Sequence, residues 1–253
     1  MQLQAIIFDL DGTLAETADL HREAWNTAFA QCGLPWRWGR ALFSTLLHIP
    51  DGMARLRAYE QSLNPGKPLE MCTYERLRAL SAAKTAAYAS ALRAGAATPR
   101  KGTIRLLNEA RAEGLPIAAV STGSRIDFEL LVFHAFGFDA LGWFDCVRCH
   151  NESRNAPHPY SAVIKAMGLT PPRCLAIDDS DEGANAACAA GLQVLATPGL
   201  YTSSHRFESA ALVLSDLGCP EAPFDVIRGN ACGHSFVTPS ALRDWGHASR
   251  TAA

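Results

Sequence analysis

The sequence lacks the features that mark membrane proteins and charge-driven nucleic-acid binders. No run approaches the roughly 18–20 consecutive apolar residues that a membrane span requires. Its 23 basic and 25 acidic residues leave a net charge of −2, so the charge balance indicates neither nucleic acid nor an acidic membrane as a partner. A signal-like N-terminus is also missing, because Asp9 and Asp11 interrupt the first apolar run. We therefore predict a cytoplasmic protein, monomeric or dimeric.

The cysteines show no pattern of a disulfide framework. The eight are scattered over 253 residues, and in a chain of this length without an export signal we interpret them as reduced thiols, several of which fill the core. Cys146, Cys149 and His150 match C-x-x-C-H, the attachment sequence of c-type haem. Because that attachment belongs to exported proteins, coincidence is the favoured interpretation. A zinc or redox site at this pair is the alternative.

Short apolar runs that alternate with helical patterns predict an α/β fold. The runs rich in β-forming residues are 5–9, 116–120, 174–177, 193–196 and 211–214. Helical patterns precede the second, third and fourth runs, at 102–113, 159–168 and 182–190. The alternation predicts a Rossmann-like, doubly wound parallel sheet covered by helices on both faces. The tail from residue 218 onward is expected to be mostly irregular.

A long helical segment separates the first two predicted strands. Helical spacing recurs at 18–32, 39–47, 52–62 and 71–94. About a hundred residues are too many for a simple crossover connection. We therefore predict an inserted α-helical cap domain at 16–94 and a core domain formed by 1–15 and 95–253. Trp36 and Trp38 are expected to pack inside the cap.

Polar residues follow three of the predicted strands at their carboxyl ends. Asp9 and Asp11 follow the first run, Ser121 follows the second, and Asp178 and Asp179 follow the third. Ligand sites in open α/β sheets form outside the carboxyl ends of the strands. Three polar strand ends together favour a reaction centre over a set of unrelated turns.

These residue types suit phosphoryl transfer through an enzyme carboxylate. One aspartate attacks phosphorus and forms an aspartyl-phosphate, while a second carboxylic acid protonates the leaving alcohol and later activates water. Asp9 and Asp11 can reach the same phosphate because positions i and i+2 of an extended chain point the same way. Gly12 lets the backbone approach the phosphate. Mg²⁺ held by carboxylates would offset the negative charge.

Three segments, FDLDGT, VSTGS and IDDSDEGANAACAAGL, resemble the first, second and fourth motifs of the haloacid-dehalogenase-type phosphatase superfamily. The predicted insertion stands where that superfamily has a helical cap. LHREAWNTAFAQCGLPWRWGRALFSTLL and LGCPEAPF…VTPSALRDW resemble the CbbY-type subgroup, which consists of phosphatases of sugar bisphosphates. The dehalogenases themselves lack the second carboxylate, so Asp11 favours phosphate chemistry.

The resemblance implies roles for the matched residues. Asp9 would be the nucleophile and a Mg²⁺ ligand, and Asp11 the general acid/base with its backbone carbonyl on the metal. Ser121 would hydrogen-bond the phosphoryl group, Asp179 would complete the metal ligands, and Asp178 would lie beside them. The residues expected to contact the substrate are Gly12, His21, Gly52, Arg55 and Thr122.

The third motif departs from the superfamily pattern Lys-Pro-x-Pro-Asp-x-Tyr, because residues 154–160 read RNAPHPY. Arg154 replaces the lysine and is predicted to be the catalytic cation beside Asp9. Its planar guanidinium requires a different geometry from an ammonium group, and the alternative is that it points to solvent. Lys165 is a weaker substitute, since its place in the next helical pattern indicates a solvent-facing side chain.

The cap also departs from the CbbY-type pattern. Ala18 stands where those proteins have a glutamate, and Met53 replaces the lysine of their Gly-Gly-Lys-x-Arg sequence, while Arg55 remains. The loss of a cation and the presence of Asp51 should weaken binding of a second phosphate. A monophosphate or a different sugar phosphate therefore fits better than the subgroup's own substrate.

The sequence thus predicts a Mg²⁺-dependent phosphatase that acts on a small phosphorylated metabolite. Two alternatives remain at this point. One is a catalytically weak relative that binds a metabolite or has a regulatory role, and the other is a phosphomutase of the same chemistry.

Overall fold

The computed structural model describes residues 3–49, 52–70, 73–149 and 158–251, the last six of them as backbone only. The chain divides into two compact units, Met1–Glu16 with Ala97–Ala253, and Thr17–Ala96. We call them the core unit and the helical unit. The expected boundaries, after residues 15 and 94, lie within two residues of this division. That the helical unit acts as a cap stays a prediction.

The strands belong to the core unit. Their bounds are β1 (Ala5–Asp9), β2 (Ala15–Glu16), β3 (Thr98–Pro99), β4 (Ile117–Ser121), β5 (Cys146–Cys149), β6 (Cys174–Asp178), β7 (Gln193–Ala196), β8 (Leu212–Leu214) and β9 (Val226–Arg228). In the described part of the unit, seven of them form one sheet in the order β5-β4-β1-β6-β7-β8-β9, and β2 pairs with β3. The large sheet is parallel except for β9, which is antiparallel to β8.

The helical unit contains the first four helices. Their bounds are α1 (Ala18–Gln31), α2 (Arg40–Leu47), α3 (Gly52–Leu63) and α4 (Tyr74–Arg93). Trp38 is fully buried and Trp36 nearly so, and their rings pack on those of Phe29 and Tyr59. The predicted packing role of the two tryptophans is confirmed.

The remaining helices flank the large sheet. Their bounds are α5 (Thr103–Ala112), α6 (Arg125–Phe136), α7 (Pro159–Met167), α8 (Asp181–Ala189) and α9 (Pro239–Thr251). Residues 5–8 of β1 are completely buried, as expected for a strand covered on both faces. The predicted α/β, Rossmann-like, doubly wound fold is therefore confirmed. None of the described helices is both long and apolar enough to cross a bilayer.

The direction in which the sheet grows reverses next to β1. The chain passes from β1 to β4 and β5 on one side, and then to β6, β7 and β8 on the other. In such sheets the ligand crevice opens at the carboxyl ends of the strands beside the reversal. The carboxyl ends of β1 and β6 are therefore the expected position of a site.

The tail was predicted to be mostly irregular, and more than half of its described residues, 218–251, do lie outside helices and strands. It contains β9 and α9. Ala241, Leu242 and Trp245 are buried on one side of α9, a helical spacing that its polar neighbours obscure. The sequence also gave no indication of α6, because that helix has apolar residues on several sides, exposed Ile126 among them.

Cys146 and Cys149 lie in β5, a strand that the sequence analysis did not identify. Both thiols are buried, and a separation of three residues in a strand directs two side chains to opposite faces. This arrangement fits the coincidence interpretation of the C-x-x-C-H match. His150 lies outside the described residues.

Candidate active site

The first loop of the site follows β1. Asp9 is the last residue of the strand, and the Leu10 side chain is buried, as the spacing of the two carboxylates required. The loop then turns sharply, because the Gly12 N–H donates to the Ala15 carbonyl at 2.9 Å. Asp11 directly precedes this turn, two residues beyond Asp9.

The second acidic segment ends β6. Phe8 pairs with Ile177 in the parallel register, so the next residues, Asp9 and Asp178, reach the end of the sheet at the same level. Carboxylate oxygens of Asp9, Asp178 and Asp179 lie within 4.8 Å of one another. The structure thus brings the ends of β1 and β6 together as one acidic cluster.

Asp178 is held by hydrogen bonds to both of its carboxylate oxygens. The Tyr160 hydroxyl donates to Oδ2 at 2.6 Å, and Ser180 donates to Oδ1 through its N–H and its hydroxyl, both at 2.9 Å. A side chain at Gly183, in the first turn of α8, would overlap this carboxylate. Asp178 therefore occupies a fixed position between β6, α7 and α8.

Two glycines lie close to the carboxylate of Asp179. Gly12 has a φ of +91°, and a Cβ built there would overlap the Asp179 carboxylate. A Cβ at Gly199 would lie 3.1 Å from Oδ2 of Asp179, and the Thr202 hydroxyl donates to the same oxygen at 3.2 Å. Gly12 is thus required by its backbone conformation and by its close approach to a carboxylate. Its approach to a phosphate stays a prediction.

Burial and mutual repulsion disfavour the ionised form of these carboxyls. Burial, followed by the charges of Asp178, Asp179 and Asp11, raises the pKa of Asp9 well above its usual range. Burial also raises the pKa of Asp178. The pKa of Asp179 is raised well above its usual range by burial and then by Asp178, against the opposing charge of Arg100.

The acidic cluster fits a divalent cation. Carboxylate oxygens are the ligands of hard cations such as Mg²⁺ and Ca²⁺, and a cation would favour the ionised forms that burial and mutual repulsion disfavour. The grouped side chains are Asp9, Asp178 and Asp179, whereas the predicted ligands were Asp9, Asp11 and Asp179. Because Asp178 already accepts three hydrogen bonds, Asp9 and Asp179 have more lone pairs available.

The loop after β4 contributes hydroxyl groups. Asp9 pairs with Val120 in the register of β1 and β4, so Ser121 lies one residue further toward the site. Its buried hydroxyl oxygen accepts from the Gly123 N–H at 3.0 Å, and its own proton can donate to a phosphoryl oxygen. Thr122 follows as an exposed loop residue.

The third motif is described only in part. Arg154, the predicted cation, lies outside the described residues. His158 caps α7, and its ring stacks on that of Tyr160 with centroids 5.5 Å apart. Because the Tyr160 hydroxyl donates a hydrogen bond to Asp178, the described end of this motif helps to hold the acidic cluster in place. Lys165 is exposed, as expected.

The predicted residues of the helical unit contact their own unit. The His21 ring stacks on that of Tyr88, with centroids 4.3 Å apart. Gly52 begins α3, and a Cβ there would lie 3.3 Å from Trp25. The Arg55 Nε donates to the backbone carbonyl of Ile49 at 2.5 Å. Asp51, predicted beside them, is outside the described residues.

Two residues near these predictions escaped the sequence analysis. Arg100 donates hydrogen bonds to the carbonyls of Gly12 and Pro198, and no motif marked it. Lys84 is only 8% exposed, and its Nζ lies 4.7 Å from the ring centroid of Tyr88. The sequence feature that could have identified Lys84 is its position on the buried side of a helix.

Comparisons with known proteins agree with this arrangement. Residues 3–191 match the haloacid dehalogenase-like hydrolase family. Protein CbbY (plasmid) of Cupriavidus necator is 37% identical over 248 residues, 97% of both chains. Validoxylamine A 7′-phosphate phosphatase of Streptomyces hygroscopicus subsp. limoneus is 29% identical over 83% of this chain and 92% of its own length.

A solved structure is similar to the chain over most of its length. It is a mutant of CbbY from Rhodobacter sphaeroides in complex with xylulose-1,5-bisphosphate, with a TM-score of 0.78 and 31% identity over 85% of this chain and 95% of that one. The family match, the CbbY relatives and the fold agree with one another. The chain therefore belongs to the haloacid dehalogenase-like hydrolases, in which it is a phosphatase enzyme of the CbbY type.

Proposed function

We propose that the chain is a Mg²⁺-dependent phosphatase that hydrolyses a small sugar phosphate through an aspartyl-phosphate on Asp9. The observation that carries this proposal is the cluster of Asp9, Asp178 and Asp179, whose carboxylate oxygens lie within 4.8 Å of one another at the carboxyl ends of β1 and β6. The CbbY structure that holds a sugar bisphosphate supports the substrate class.

Asp9 and Asp11 divide the chemistry between them. The Asp9 carboxylate attacks phosphorus, the bond between phosphorus and the ester oxygen breaks, and Asp11 gives its proton to that oxygen. Asp11, now a carboxylate, takes a proton from water as the water oxygen attacks phosphorus. The bond between phosphorus and Asp9 then breaks, which releases inorganic phosphate and restores both aspartates.

The acidic cluster would hold the cation. Asp9 and Asp179 are the proposed side-chain ligands, with the backbone carbonyl of Asp11 as a third and Asp178 beside them. A bound Mg²⁺ supplies positive charge that keeps a buried nucleophilic carboxylate ionised and attracts the phosphoryl oxygens. Asp9 needs this help because burial and three neighbouring carboxylates raise its pKa well above the usual range.

Groups from the surrounding loops would bind the phosphoryl oxygens. The Ser121 hydroxyl, already oriented by the Gly123 N–H, donates to one oxygen, and Thr122 and the backbone at Gly12 line the same position. Arg154 supplies the positive charge that a lysine supplies in the superfamily pattern. Stabilising charge on the transferred group is a large part of catalysis in such sites.

The helical unit would select the substrate. As a cap, it would exclude water from the phosphoryl group while the leaving group is held. His21, Gly52 and Arg55 are the proposed contacts with the substrate. Met53 offers no charge to a second phosphate, so a monophosphate is the preferred substrate of this proposal.

A phosphate-release assay over a panel of sugar mono- and bisphosphates tests the proposal. The wild type is expected to release phosphate with Mg²⁺ and to lose this activity with a chelator. Asp9→Asn should be slower by about 10³-fold or more, as for other lost nucleophiles. Asp225→Asn, an exposed aspartate of the same unit, is the matched control and should keep full activity. If the wild type released no more phosphate than Asp9→Asn on any substrate, the proposal would be wrong.

A further inference from the structure

Arg100 joins three separate loops of the core unit. It follows β3 directly, and its half-buried guanidinium donates to the backbone carbonyls of Gly12, Thr197, Pro198 and Ser215. The bonds to Pro198 and Ser215 are 2.8 and 3.2 Å long. These carbonyls come from the loop after β1, the segment after β7 and the residue after β8.

Two of those loops form the walls around Asp179. Gly12 lies against its carboxylate, and a Cβ at Gly199, the residue after Pro198, would lie 3.1 Å from Oδ2 of the same group. The Gly199 N–H donates to the Thr202 hydroxyl oxygen at 2.8 Å, and that hydroxyl donates to Asp179 at 3.2 Å. The two walls thus limit the position of Asp179, and Arg100 hydrogen-bonds to the carbonyls of Gly12 and Pro198 within them.

The guanidinium also acts through its charge. Its positive charge attracts the carboxylate of Asp179. An arginine suits the position because its planar fork of N–H donors can reach carbonyls in several directions at once. A lysine would keep the charge but could not keep the same set of hydrogen bonds.

We propose that Arg100 is a positioning residue for the metal site: it fixes the Gly12 and Gly199 walls so that Asp179 presents its carboxylate to the cation. This inference rests on the proposed Mg²⁺ site. Residues that orient a metal ligand typically change metal affinity by about 10–100-fold when they are replaced. A weaker affinity of this size for Mg²⁺ is the expected effect of losing the guanidinium.

Arg105 offers a matched control. It is half-buried in α5 of the same unit, and its Nη2 donates to the carbonyls of Leu217 and Gly218 at 3.2 and 2.9 Å. Its Nη1 bonds to Glu109. Arg105→Met therefore removes arginine hydrogen bonds to backbone carbonyls, as Arg100→Met does. These bonds join α5 to a loop, and neither wall of Asp179 takes part in them.

Isothermal titration of Mg²⁺ into the metal-free protein tests the proposal, with thermal unfolding in chelator as a measure of stability. Arg100→Met is expected to bind Mg²⁺ about 10–100-fold more weakly than the wild type. Arg100→Lys should be intermediate, and Arg105→Met should bind like the wild type even where its unfolding temperature falls. In the phosphate-release assay, raised Mg²⁺ should restore most of the activity of Arg100→Lys.

Binding by Arg100→Met within twofold of the wild type would show that Arg100 is a structural connection only. If Arg100→Met does not fold, Arg100→Lys decides the question by the same criterion. A wild type that binds no Mg²⁺ and releases no phosphate would overturn the proposed function and this inference together. If the wild type binds Mg²⁺ and releases phosphate, and the Arg100 variants bind Mg²⁺ with unchanged affinity, this inference alone is overturned.

Discussion

The core unit and the helical unit hold their predicted site residues in different ways. In the core unit, Asp9, Asp178 and Ser121 end buried parallel strands, and hydrogen bonds and glycines fix the carboxylates. In the helical unit, His21 stacks on an aromatic ring and Arg55 bonds to a backbone carbonyl of its own unit. The comparison teaches that strand ends position the residues proposed for phosphoryl transfer, whereas side-chain contacts position the residues proposed for substrate selection.

This difference has a physical origin. A residue at the end of a buried strand inherits the rigidity of the sheet, because the backbone on one side of it is fully hydrogen-bonded and packed. A residue on a helix surface depends on its rotamer and on nearby side chains. Substitutions should therefore reduce catalysis or metal binding in the core unit and alter substrate affinity in the helical unit.

Among the substitutions that test this difference between the core unit and the helical unit, Gly12→Ala should reduce activity most. The added methyl group would overlap the Asp179 carboxylate at a φ of +91°, so we expect kcat/KM to fall by about 100-fold and Mg²⁺ binding to weaken. Gly168→Ala is the control, since it has a φ of +61° and nothing within 4 Å of the added Cβ. Equal losses of activity in both variants would show that backbone strain alone is responsible.

Tyr160→Phe should have a smaller effect within the core unit. The change keeps the buried ring and removes the 2.6 Å hydrogen bond to Asp178, so we expect kcat to fall by about tenfold. Tyr59→Phe, in the aromatic cluster of the helical unit, should leave kcat unchanged. Steady-state kinetics at saturating Mg²⁺ compares kcat of the two variants. An unchanged kcat in Tyr160→Phe would show that the hydrogen bond from Tyr160 does not contribute to catalysis.

His21→Ala should have the smallest effect on the chemistry. Because its ring contacts Tyr88 in the helical unit, we expect KM for the preferred substrate to rise by less than about tenfold, with unchanged Mg²⁺ affinity. Kinetics on the preferred substrate together with Mg²⁺ titration measures both quantities. A fall in kcat as large as that of Gly12→Ala would break the proposed division between the units.

The sequence predicted the parts of the site that follow apolar strands. Asp9, Asp11, Ser121 and Asp179 stand out because each follows a run of β-forming residues, and the parallel fold brings the ends of those runs to one edge. Arg100 could not be found in this way, since it acts on backbone carbonyls that no side-chain pattern reveals.

The elements missed in the sequence have similar causes. The helix α6 carries apolar residues on several sides, so it has no clear helical period. The strand β5 is a four-residue segment interrupted by Arg148, and its apolar run is too short to mark a strand. In α9, three buried residues provide the packing within an otherwise polar segment.

The most direct test of the central claim is a search for phosphate bound covalently to Asp9. The wild type is mixed with Mg²⁺ and its preferred sugar phosphate, quenched in acid during turnover, digested and examined by mass spectrometry. The account predicts one added phosphoryl group on the peptide that contains Asp9, removed by hydroxylamine and absent from Asp9→Asn. A phosphoryl group on another residue, or full turnover with no phosphorylated peptide at any time point, would contradict it.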